Sequence, residues 1–444
     1  VMSVVPAPRL LWLVLAAALL AVPAGPLPDL VPLWLLTLGV LVLAALADVV
    51  VSLAKARPLT VSTEPTSRFS KDREGKIQVT FSQPAGQSRR LRFALALPST
   101  FESREEQIWV DLPADAARAR IDWACTPRER GRFTNVVACT ETASPFGLWH
   151  LRMRTVVPGE LRVYPNLFAE RRQLAALFFA RGESGSTAQR VVGRGRDFEK
   201  LRDYLPGDSF DEIHWKATAK RGRPVTKIFQ AERTQEIYVI VDTSRLSARP
   251  ATNRTGTQTA LERYLTAALM LLLAAEQQGD RFGLITHDDR VRLFLRASRG
   301  PAHYAACREA ALGLQSSEAT PDMAEIVRHL RAGLRRRALL FFLTDLTDPV
   351  LAEDFTKHVR LLARQHLVLV SQLRDPAVAP LFSAEAQGDD EIYARLAGHE
   401  RWTETRALGK KLKPLGVTMA TLENETMAAQ LVTQYLQVKR RQAL

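Results

Sequence analysis

Two aspartates, Asp242 and Asp345, are the residues of this sequence best placed to do chemistry. Each follows a short apolar run rich in β-branched or aromatic residues, 236–241 before Asp242 and 338–343 before Thr344 and Asp345. Where strands alternate with helices in a parallel sheet, sites form at the carboxyl ends of the strands. Both carboxylates would then stand on one crest, and paired hard oxygen donors there invite a Mg²⁺ reading. A second group, His287-Asp288-Asp289, imitates an acid–base set. It lies between the apolar runs 281–286 and 291–295, so a hairpin turn explains it more cheaply and sets His287 apart from the two aspartates. The sequence has no Walker A lysine loop, GxSxG elbow or HExxH helix, and Gly193-Arg194-Gly195 does not continue into a dinucleotide-binding pattern. The reading is of a protein that is not an enzyme and has no small-molecule substrate.

The elements that must position the aspartates are legible over residues 233–444. Strand-like runs at 236–241, 281–286, 291–295, 338–343, 366–370 and 417–422 alternate with helical stretches at 259–277, 302–314, 323–334, 351–364, 391–412 and 427–441. That alternation predicts a doubly wound, mostly parallel, Rossmann-like α/β domain.

Ahead of it, residues 171–232 form a connector dense in Arg, Lys, Asp and Gly that still carries Phe198, Tyr204, Ile213 and Trp215 at intervals suited to packing. Pro206-Gly207-Asp208 is a tight turn. Asp208 and Asp211 are expected to cap a short helix holding Trp215. Lys216, Lys220 and Arg221 then cluster on one face. With Arg194, Arg196, Asp208 and Trp215 they make a partner-docking or anion-binding surface; the alternative is a solvated face with ion pairs to Glu199, Asp203 and Asp211.

In order along the chain, Arg130-Gly131-Arg132, Pro145-Phe146-Gly147-Leu148, Val163-Tyr164-Pro165, Tyr204-Leu205-Pro206-Gly207-Asp208 and Ile213-His214-Trp215-Lys216 resemble the bacterial membrane-anchored proteins of domain-of-unknown-function family fifty-eight. The resemblance is strongest over residues 193–232. It implies a von Willebrand A-like domain after the connector and work alongside a MoxR-type AAA ATPase. Such a domain can hold Mg²⁺ through Asp-x-Ser-x-Ser after its first strand, a Thr from a later loop and an Asp after a later strand. Here Asp242, Ser244 and Asp345 match that set and Thr320 is the loop candidate, but the third position is Leu246, with Ser247 one place late. The implied metal site is degenerate.

Residues 58–170 read as short strands, at 59–63, 76–81, 90–97, 108–112, 119–125, 136–141 and 161–164, separated by turn residues: a β-sandwich. The segment Ser144-Pro145-Phe146-Gly147-Leu148-Trp149 is a turn with an aromatic anchor, and His150 a packing residue.

Residues 1–57 hold two uncharged stretches, 10–28 and 30–47, broken by the proline-rich run 23–28. A helix crosses the hydrocarbon in about 20 residues, so the expectation is a transmembrane hairpin, with helices over about 10–28 and 30–50 and Asp48 at the interfacial end of the second. A cleavable signal peptide is the rival for the first. Arg9, Lys55 and Arg57 flank the pair and the loop between has no Lys or Arg, which places both flanks and the large soluble region in the cytoplasm of a bacterial inner membrane.

The net charge of +14 is spread along the chain rather than gathered into a basic stripe with stacking aromatics, which suits an anionic membrane face better than a nucleic-acid groove. Of the three cysteines, Cys125 and Cys139 could pair in an oxidising compartment; reduced, buried thiols are the simpler expectation. The function that follows is a membrane-anchored interaction scaffold. The alternatives are a metal-dependent hydrolase at the crest, built on Asp242, Asp345 and His287, or a tethered nucleic-acid binder.

Overall fold

From Ile237 to Val241 every residue is apolar, a run that can be buried on both faces. In the computed structural model it is: Glu236–Asp242 lies in the middle of a six-stranded sheet, with Ile237, Val239 and Val241 in one core and Tyr238 and Ile240 in the other. The structure describes all residues except 1, 25–28, 30, 56–58, 84–88, 115–117, 181–191, 206–209, 211–212, 231–234, 254–255, 384–387 and 442–444. They form two units, Val1–Asn166 and Leu167–Leu444.

In the second unit the strand order is Val291–Ser298, Arg281–His287, Glu236–Asp242, Leu339–Leu343, Leu367–Leu373, Val417–Leu422. Only the first of these pairs antiparallel. The helices Ala260–Gln277 and Met427–Arg440 cover one face, and Met323–Gly333 and Pro349–Ala363 the other. The chain leaves the central strand in one direction to reach Arg281–His287 and later returns to its other side at Leu339–Leu343. The topological switch point, where ligands of doubly wound sheets sit, therefore falls between the ends of Glu236–Asp242 and Leu339–Leu343.

The connector is an antiparallel ribbon, Val192–Asp203 with Val225–Gln230, carrying the short helix Trp215–Arg221 between its strands. Ile213 is buried and bridges Thr226, and Arg223 pairs with Asp203 at 3.1 Å. The helix is not capped as expected. His214 does it, its Nδ1 accepting from Ala217 N at 3.1 Å, and Gly222 closes the other end at φ 68°. Asp208 and Asp211, the expected caps, lie outside the described residues.

The first unit packs a six-stranded sheet against a four-stranded one. Phe93 of the larger meets Phe81 and Trp123 of the smaller edge-to-face, at centroid distances of 5.0 and 5.6 Å. Its strands are longer than the turn signals suggest: Gly131–Ala143 and Trp149–Tyr164 run far beyond the expected 136–141 and 161–164. Met2–Pro6 adds an unforeseen strand, antiparallel to Trp149–Tyr164.

Two helices, Pro8–Ala24 and Val31–Lys55, follow that strand. The second is long and apolar enough to cross a membrane over Val31–Ala54; the apolar stretch of the first, Pro8–Val22, is shorter. Trp34 Nε1 donates to the Ala17 carbonyl at 2.9 Å. Asp48 is not at the helix end but within the helix, fully buried, accepting from Ser144 Oγ, Phe146 N and Leu148 N. Trp149 Nε1 donates to Ala45 O at 2.9 Å, and Gly147, beneath the Arg9 side chain, has a φ of 69° that L side chains rarely adopt. The Pro-Phe-Gly-Leu segment is thus a clasp that grips the helix. All three cysteines are free thiols. Burial pushes Cys125 and Cys307 up to about 12, which keeps both unreactive.

Candidate functional site

Asp242 and Asp345 stand at the ends of neighbouring strands at the switch point, both almost wholly buried. A buried carboxylate must be paired or hydrogen-bonded, and each of these is bonded within the chain. Asp242 Oδ1 accepts from Ser244 N at 2.8 Å and Oδ2 from Thr344 Oγ1 at 2.7 Å. Asp345 Oδ1 accepts from Thr347 N and Oγ1, at 3.0 and 2.7 Å. Asp345 Oδ2 sits 2.6 Å from Arg249 Nη1.

The loop after Asp242 has its own local logic. Ser244 caps a single turn of 3₁₀ helix, Arg245–Ala248, its hydroxyl accepting from Leu246 N at 3.3 Å. Ser247 points back into that turn, within reach of the Ser244 carbonyl (2.8 Å) and the Ser316 hydroxyl (3.0 Å). Loop 316–320 packs on this segment, with Ser317 N on Thr243 O and Arg245 N on Ala319 O. Thr320, however, is exposed, and its hydroxyl accepts from Arg245 Nε at 3.3 Å. The hydroxyl that reaches Asp242 is that of Thr344.

Mg²⁺ asks for near-octahedral oxygen ligands and gives up its waters reluctantly. Each oxygen of both carboxylates already holds a donor, Leu246 offers none, and Thr320 is turned to Arg245. No group of three or more His, Cys, Asp or Glu is arranged to hold a metal among the described residues. As arranged, the set Asp242, Ser244, Thr320 and Asp345 does not fit a divalent ion.

His287 differs from its expected place. It ends the strand Arg281–His287, in register with Asp242 on the neighbouring strand, and is not part of the turn. Thr243 donates to its carbonyl through both N (2.8 Å) and Oγ1 (3.0 Å). The ring is buried and neither nitrogen has a hydrogen-bond partner among the described residues. Asp288 turns to Arg292 at 2.6 Å, so the three residues do not form a relay. Burial opposes ionisation of Asp288, but its hydrogen bonds, Arg292 among them, outweigh burial and hold it at about 2.

The connector residues fall in another arrangement. Trp215 is 67% exposed, with Phe210 and Leu205 also exposed. It does not pack as its spacing suggests. Lys216, Lys220 and Arg221 are exposed on the same short helix. Arg194 and Arg196 lie on the ribbon strand, their side chains, like all of Asp208, outside the described residues.

Sequence reasoning missed Arg249, Thr344 and a cavity of about 500 Å³ at the ends of Leu367–Leu373 and Val417–Leu422. Its walls include Gln372, Asp375, Met419 and Trp402, and Arg406 stacks 4.7 Å over the indole. The arginine signal was readable: a basic residue stands five positions after Ser244, in the loop that lacks the third hydroxyl.

Residues 200–384, which include both crest aspartates, match the family model "Protein of unknown function DUF58". Uncharacterized proteins of Mycobacterium tuberculosis and Mycobacterium bovis are 25% identical over 195 residues, 42% of this chain and 57% of theirs. The chain thus matches little more than half the length of these relatives. Among solved structures, an aerotolerance-related membrane protein of Bacteroides fragilis is similar over 45% of this chain and 99% of its own, at 15% identity and a TM-score of 0.28. An uncharacterized membrane spanning protein of Vibrio fischeri is similar over 46% and 98%, at 12% identity and a TM-score of 0.18.

Proposed function

We propose that this chain, which carries the DUF58 family segment at residues 200–384, is a membrane-anchored scaffold that captures a protein partner without turning over a substrate. The observation that carries this reading is the connector patch. Trp215, Phe210 and Leu205 present apolar surface to solvent beside Lys216, Lys220 and Arg221. Large exposed apolar side chains mark contact surfaces, and tryptophan and arginine are their usual anchors. The partner expected is a MoxR-type AAA ATPase in a cell-envelope or complex-assembly process.

The anchor is the pair Pro8–Ala24 and Val31–Lys55, crossing a bacterial inner membrane twice. Supporting this, Met2–Pro6 before the pair and Thr60–Thr63 after it both belong to the β unit. This favours both flanks on one side, and the Lys and Arg distribution favours the cytoplasmic side. The crest speaks against the hydrolase alternative, since its carboxylates are spent on internal donors and His287 is sealed from solvent.

The test is capture of the co-expressed ATPase by the detergent-solubilised full chain. Trp215→Ala should reduce capture at least tenfold, the loss of one anchor residue, while leaving the melting temperature unchanged. Undiminished capture would remove the connector from the account.

A further inference from the structure

We propose that Arg249 is the resident cation of the crest: its guanidinium takes the part a divalent ion would play beside Asp345, so the crest is held together without metal. Three observations converge on it.

First, the crest needs positive charge. Asp242 and Asp345 are buried at adjoining strand ends, and Asp375 follows the next strand. Among the described residues, Asp242 accepts from neutral donors, Ser244 N and Thr344 Oγ1. Asp345 is met by a full charge, Arg249 Nη1 at 2.6 Å, and that charge also faces Asp375 Oδ2 at 4.0 Å. Second, the guanidinium spans elements as a metal would. Nη2 donates to the Leu373 carbonyl at 3.2 Å, which ties the ends of Leu339–Leu343 and Leu367–Leu373 to the loop that follows Asp242. Third, the backbone holds the arginine in place. Arg249 N donates to Leu246 O, and Arg249 O accepts from Ala260 N at the start of the buried helix Ala260–Gln277. The loop with leucine at the third ligand position is thus the loop that supplies the arginine.

Arginine suits the role better than lysine. Its planar fork bonds two acceptors at once, and it stays charged at any physiological pH. A tethered group also competes at an effective concentration on the order of millimolar or higher, enough to rival free Mg²⁺. The guanidinium remains partly accessible, at 26% side-chain exposure, so the crest still presents a cationic edge.

The experiment uses the full chain in detergent, with Mn²⁺ as the probe, read by electron paramagnetic resonance and by melting temperature. Wild type should show no saturable Mn²⁺ binding and the same melting temperature in Mn²⁺ and in EDTA. Arg249→Gln should gain one saturable site, with affinity on the order of millimolar, and lose it again when Asp345→Ala is added. Should Arg249→Gln be poorly folded, Mn²⁺ should still raise its melting temperature and leave the wild type unmoved. Saturable Mn²⁺ binding by wild type that Asp345→Ala abolishes would overturn the proposal. So would an Arg249→Gln chain that neither binds Mn²⁺ nor gains stability from it.

Discussion

The hydroxyl of Thr344 and the guanidinium of Arg249 decide what the crest can be. Thr344→Val keeps the shape and strips the donor from Asp242 Oδ2 in a buried site. A buried hydrogen bond to a charged group contributes about 1.5–3 kcal/mol, so urea unfolding should show a loss of that size. His366 gives a second residue-scale test, by pH. Burial, helped by the positive charge of Arg337, holds its imidazole below the usual histidine range, and its Nδ1 accepts from Ala338 N at 3.2 Å. The unfolded chain takes up that proton first, near pH ~6.5. Stability from this group is therefore complete above that value and is lost as pH falls through the lower folded-state value. His366→Gln should flatten the acid side of the stability–pH curve; an unchanged slope would place the titration elsewhere.

At the scale of elements, the clasp on the second helix makes the firmest demand. Asp48→Ala leaves Ser144 Oγ, Phe146 N and Leu148 N without their shared acceptor in a buried setting. The expected cost is on the order of 3 kcal/mol, read as a lower melting temperature and earlier proteolysis within the Gly131–Ala143 and Trp149–Tyr164 strands. The α/β elements were legible because a parallel sheet buries continuous apolar runs and its helices keep a 3.6-residue period. The clasp was not. Its two halves are about a hundred residues apart, and an aspartate near the end of an apolar run reads as an interfacial charge. Met2–Pro6 was hidden for a related reason, since an exposed edge strand needs no alternation of polar and apolar residues. The crest was half legible. The strand-end aspartates announced themselves, whereas Thr344 and Arg249 gain meaning only once the strand ends are adjacent. Trp215 misled through its spacing, which suits packing as well as it suits display.

For the whole molecule, the prediction concerns which side each part faces. Single cysteines placed in a cysteine-free background within Met2–Pro6 and within Thr60–Thr63 should label from the same, cytoplasmic side, and one at Asp29 from the opposite side. Labelling of Asp29→Cys from the cytoplasmic side would mean that the helix pair does not cross the membrane. The chain's net charge of +14 favours the anionic leaflet.

Whether a protein partner docks on the connector helix is read by a photo-crosslinking amino acid at position 215, introduced in living cells. The same probe at buried Ile213 serves as control. Position 215, and not 213, should yield one dominant adduct with the AAA ATPase. Adducts to lipid or to the chain itself alone, or equal yields at both positions, would contradict it.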